Sequence, residues 1–199
     1  MLTLADILDQ QRSLYIDEFK LRAGGFAQDL ASILQPEALY CLPDGNPVRT
    51  GSLKLPARGD LCVKREGRVV ELARIEAPRA LSFEPFQFVW ADTLQVALHP
   101  FAWDDCRVCI PEPMLAVDWP LVGQWFESQI GLDTPYGEAG TLINAVHSMS
   151  EPGEAADGVR FEIDFGSAGV EAFESFLSQL ATAGAGLVVI GQITVPGAK

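Results

Sequence analysis

"VRFEIDF", Val159–Phe165, is the stretch whose reading decides how the second half of this chain folds. Strict alternation over seven residues predicts a half-buried strand. Phe161, Ile163 and Phe165 fall on one side, and Arg160, Glu162 and Asp164 on the other. Working forward, Gly166-Ser167 opens a helix with Ser167 as N-cap. Val170, Phe173, Leu177 and Leu180 mark its buried stripe, and "AGAG", residues 183–186, ends it. Leu187–Val195 then reads as the last strand, bent at Gly191.

Working backward, a strand over Thr141–Met149 and the loop "SEPGEAADG" precede it. Before these come a helix over about 120–130, with Pro120 at its first turn beside Asp118, and a strand over Cys106–Ile110. The order is β-α-β-β-α-β, the split βαβ or ferredoxin-like arrangement, with two helices on one face of the sheet.

The first 104 residues read differently. Leu4, Ile7, Leu8, Leu14, Tyr15 and Phe19 recur at helical spacing, and Thr3 can cap the start. Gly24-Gly25 is expected to break that helix, with a second short helix over Phe26–Leu34 and Pro36 closing the segment. "LPDGNP", residues 42–47, is turn chemistry. Strands are then expected over 52–55, 60–65, 68–75, 81–90 and 94–98, with Glu66-Gly67 as a tight hairpin turn. The expected fold is α+β. A helical N-terminus and an antiparallel meander (1–104) are followed by the ferredoxin-like unit (105–199).

"CRVC" in "WDDCRVCI", residues 103–110, resembles a metal or redox pair only in spacing. A zinc knuckle needs a turn that aims both thiolates at one point. Valine in the spacer favours a strand, on which side chains three apart face opposite ways. Cys106 is therefore expected toward the helices and Cys109 away from them. Asp104-Asp105 reads as a strand-edge turn. "FGSAG", residues 165–169, lacks the glycine that a nucleophile elbow places two before its serine. The chain shows no Walker A loop, no dinucleotide fingerprint and no calcium loop. No catalytic residue, cofactor or metal is assigned.

Charge is the strongest global signal. The net charge is −13, and residues 105–199 hold thirteen acids against Arg107, Arg160 and Lys199. That concentration opposes binding to nucleic acid. No apolar run is long enough to span a bilayer, so membrane association is not expected. The N-terminus shows no secretory pattern, and four cysteines suit a reducing compartment, so the expected location is cytoplasmic.

These readings point to a non-enzymatic binding protein, inhibitor- or immunity-like, whose acidic C-terminal part engages a basic protein partner. Glu162, Asp164, Glu171 and Glu174 are the expected contact residues. One alternative is an enzyme or small-molecule binder with a cavity between the two parts, for which Cys109, His99, His147 and Arg107 are the suspects. Another is a self-associating scaffold, a homo-oligomer paired through the last strand at a sheet edge.

Overall fold

The computed structural model describes residues 3–26, 32–77, 81–138 and 141–191. The fold is α+β. Helices α1 (Leu4–Phe26), α2 (Trp119–Gln129) and α3 (Val170–Thr182) pack with two sheets. The smaller sheet is antiparallel, with β2 (Arg58–Arg65) between β1 (Ser32–Leu39) and β3 (Arg68–Ala73). The larger takes β4 (Phe86–Trp90), β5 (Leu94–Leu98), β6 (Cys106–Ile110), β7 (Ser148–Met149), β8 (Gly153–Ala155), β9 (Gly158–Asp164) and β10 (Leu187–Ile190). Its order is β4-β5-β10-β6-β9-β7, with β8 also on β9. Among the described residues, only the β5–β10 pair is parallel. No helix among the described residues is long and apolar enough to cross a membrane.

Strand β9 runs as its alternation predicts. Val159, Phe161 and Ile163 are buried, Arg160 and Glu162 exposed, and Asp164 intermediate. Phe161 and the following Phe165 meet α3 through Phe176, at ring separations of 6.1 and 6.3 Å. Trp119 and Trp125 bring α2 to the same face, 5.5 Å from Phe161 and 5.0 Å from Phe176. Burying each such side chain stabilises by about 1.5–3 kcal/mol. A one-residue slip would exchange those residues for Arg160, Glu162 and Asp164, so packing fixes the register.

Several local expectations hold. Thr3 and Asp6 cap α1 reciprocally: the Thr3 hydroxyl accepts from the Asp6 N–H at 3.2 Å, and the Asp6 carboxylate accepts from the Thr3 N–H at 2.9 Å. Asp118 caps α2, accepting from Leu121 N–H at 3.4 Å. Glu66 and Gly67 both take positive φ, 49° and 76°, as a two-residue hairpin between right-twisted strands requires.

Others are corrected. Helix α1 continues through Gly24-Gly25 to Phe26, and Ser32–Leu34 belongs to β1, because pairing with β2 satisfies its backbone. The rest of the expected second helix lies outside the described residues. Residues 52–55 form a turn closed by the Thr50–Leu55 bridge. The expected meander divides: β2 and β3 pair with β1, whereas β4 and β5 join the larger sheet.

In the stretch 141–149, only Ser148–Met149 is strand. Backbone donors earlier in it bond elsewhere, Ile143 to the Glu37 carboxylate and Val146 to the Gln129 carbonyl. The loop after it contains β8. Ser167 does not cap α3, which starts at Val170 behind Gly169. The Ser167 hydroxyl is buried instead and accepts from Ala145 N–H at 3.2 Å. Strand β10 lies between β5 and β6, so Leu187–Ile190 offers no free edge. The remainder of the expected strand, 192–195, is outside the described residues.

Candidate functional site

Strands β1 and β2 place Glu37 and Asp60 opposite each other, between the Pro36–Leu61 and Ala38–Gly59 pairs. Two like charges facing across a ladder repel. His147 resolves the conflict. Its Nε2 lies 2.8 Å from Glu37 Oε1 and its Nδ1 lies 2.8 Å from Asp60 Oδ1. Glu37 and His147 are 0% exposed and Asp60 3%. The Tyr15 hydroxyl, from α1, donates to Asp60 Oδ1 at 2.6 Å. Asp164, at the end of β9, brings Oδ2 to 4.0 Å from His147 Nδ1.

The backbone holds these groups in place. His147 N–H donates to the Asp164 carbonyl at 2.9 Å, and Arg58 N–H donates to the His147 carbonyl at 2.8 Å, so residue 147 bridges the two sheets. Asp60 Oδ2 accepts from Ile75 N–H at 2.6 Å, and Asp164 Oδ1 from Gly166 N–H at 2.8 Å. Glu37 itself sits at φ 51°, a strained conformation for a residue with a side chain. The Arg58 guanidinium donates to the carbonyls of Glu37 and Ile130, both at 2.6 Å, and to those of Gly131 and Thr134. It thereby ties β2 to the C-terminal end of α2. Gly166, at φ 52°, is required where it stands, since a Cβ there would lie 2.2 Å from the His147 ring.

Electrostatics follow from burial and contact. Burial alone would lower the His147 pKa. The hydrogen bonds to Asp60 and Glu37 and the charge of Asp164 outweigh it and raise the pKa to about 10, so His147 is an imidazolium at neutral pH. Burial pushes Asp60 up, but the bond and charge of His147, with the Tyr15 hydroxyl, bring it below the usual carboxylate value. Burial pushes Asp164 up to about 7 despite the neighbouring imidazolium.

Asp60 and Asp164 open onto a cleft of about 400 Å³ between the two sheets. Asp104, Asp105 and Glu162 also line it, with Arg58 and Arg74 the cations on its wall among the described residues. Asp104 is 5% exposed, burial raises its pKa, and among the described residues its Oδ1 has no hydrogen-bond partner. The Asp104-Asp105 turn is present, with Asp105 N–H donating to the Ala102 carbonyl at 3.2 Å. Both residues line the one cleft.

The four expected contact residues do not share a surface. Glu162 is exposed on the cleft rim, 3.4 Å from Arg107, which also pairs with Asp105 at 3.2 Å. Asp164 belongs to the buried cluster. Glu171 (exposed) and Glu174 (half-buried) stand on α3, which covers the opposite face of the sheet. Of the alternative suspects, His147 is central, but its ring nitrogens face carboxylates and not a thiol. The Cys109 thiol is buried and donates to the Asp157 carbonyl at 3.9 Å. Cys106, Val108 and Ile110 join the core on the helix side, as the alternation required.

Tyr15, Glu37, Asp60 and Asp104 were not legible as site residues. Positions 15, 37, 60, 104, 147 and 164 share no local spacing and meet only through the fold. No protein-family model matches the chain, and comparisons with curated proteins and with solved structures find no match.

Proposed function

We propose that the protein is a non-catalytic binding module whose acidic cleft receives a cationic group, a lysine or arginine side chain presented by a basic partner protein. The observation that carries this is Asp104. A buried carboxylate oxygen without a partner is costly, and the cleft wall is where a cation could satisfy it. Asp60, Asp164, Asp105 and Glu162 add negative potential to the same cleft, and the overall charge of −13 would speed encounter with a basic surface. The contact set is then Glu162 and Asp164 with Asp104 and Asp105. Glu171 and Glu174 would serve a separate face.

The run β10-β6-β9-β7, antiparallel throughout and with α2 and α3 on one side, supports reading the second half as a ferredoxin-like unit widened by β4 and β5. Four free cysteines suit a cytoplasmic location. The test is capture of partners in the presence of EDTA at about 0.05 M and about 0.5 M salt. Basic proteins retained at low salt should be lost at high salt and on Glu162→Lys, and weakened by Asp104→Asn. Glu171→Lys should leave them bound. Capture indifferent to salt and to Glu162→Lys refutes the reading.

A further inference from the structure

We propose that the inner end of the cleft is a divalent metal site, with His147 Nδ1, Asp60 and Asp164 as its protein ligands. These three donor atoms lie within 4.8 Å of one another. The 2.8 Å and 4.0 Å separations from Nδ1 to the two carboxylates bracket the roughly 3.3 Å expected between donors at zinc-like bond lengths of about 2.0–2.1 Å. A small inward turn of Asp164 and an outward one of Asp60 would complete the set.

The surroundings are those a ligating histidine uses. Metal-bound imidazoles donate their second N–H to a carboxylate, which fixes tautomer and ring orientation. Glu37 does this at Nε2, and is itself held by Ile143 N–H at 2.5 Å. Each carboxylate ligand has one oxygen tied to a backbone N–H, from Ile75 or Gly166, leaving the other toward Nδ1. Gly166 keeps the ring in place by lacking a Cβ.

A second, independent observation points the same way. Asp104 is buried on the wall of that cleft with an Oδ1 that has no hydrogen-bond partner among the described residues, and its carboxylate adds negative potential beside Asp60 and Asp164. One nitrogen and two carboxylate oxygens, without thiolate, suit a first-row cation such as Zn²⁺ or Mn²⁺. A three-ligand set leaves a coordination position unfilled by protein. The acidic rim, with Asp105 and Glu162, remains for a partner.

The test uses the whole chain, stripped with EDTA and titrated calorimetrically with ZnCl₂ and with MnCl₂, followed by a thermal melt with and without metal. One ion per chain should bind saturably and raise the melting temperature, as for any ligand that prefers the folded state. Asp164→Asn, at the ligand nearest the cleft surface, should weaken binding by more than about tenfold, and Glu37→Gln, at the positioning residue, by about 10–100-fold. Glu171→Gln, an acid on the opposite face, should leave it unchanged. Binding that is weak and multi-site, or equal in Asp164→Asn and the parent, overturns the proposal. The partner capture is run in EDTA, so failure here and failure there are separate results.

Discussion

Replacing His147 by Phe keeps a ring in the cavity and removes the cation between Glu37 and Asp60. Both carboxylates are essentially unexposed. Taking one partner from a buried ionic cluster costs about 3–5 kcal/mol, because the remaining charges stay desolvated. The wild-type contribution can also be bounded from titration. A His147 pKa raised from 6.5 to about 10 corresponds to at most about 5 kcal/mol. Its sign is definite. The contribution is fully present below pH 6.5 and is lost as pH rises through about 10.

Asp164 acts in the same direction. Its pKa is raised from 3.8 to about 7, so ionising it in the folded protein is penalised increasingly across that interval. Metal-free wild type should therefore lose stability between pH 5 and pH 9, measured by urea unfolding. His147→Phe should melt roughly 6–20 °C lower at pH 7 for a chain of this size. That deficit should shrink as pH rises toward 10, where the wild-type ring loses its proton. Imidazole NMR shifts should show the wild-type ring still protonated at pH 8. A variant within about 1 kcal/mol of wild type at pH 7, or a ring that titrates near 6.5, refutes the electrostatic account.

Three other outcomes are expected. Gly166→Ala should cost about 1–2 kcal/mol from the left-handed backbone alone. It should cost more in total, with a displaced His147 ring resonance, because the added Cβ meets the ring at 2.2 Å. Arg58→Met removes the donors to four carbonyls while nearly keeping length, and should destabilise by roughly 2–5 kcal/mol in a denaturant titration. With a thiol reagent at mildly alkaline pH, exposed Cys41 should react fast. Cys62, Cys106 and Cys109, buried and with pKa values raised by burial, should react only on unfolding.

What the sequence determined by itself was local. Alternation in Val159–Asp164 and Cys106–Ile110 set which side chains meet the helices, since on a strand each residue's direction follows from its neighbour's. Thr3, Asp118 and Glu66-Gly67 marked ends and turns through hydrogen bonds and dihedrals contained within a few residues. Tertiary structure decided the rest. Ser32–Leu34 became strand because β2 lay alongside, β4-β5 left the meander to flank β10, and Thr141–His147 lost its strand to donors and acceptors on α2, β1 and β9.

The cluster of Tyr15, Glu37, Asp60, His147 and Asp164 belongs wholly to this second category. A carboxylate's chemistry depends on how much water it keeps and which charge it faces. Both are set by residues distant in the chain, as His147 is from Glu37, 110 positions away. Spacing along the backbone cannot encode that, because burial and charge pairing are properties of the packed molecule alone.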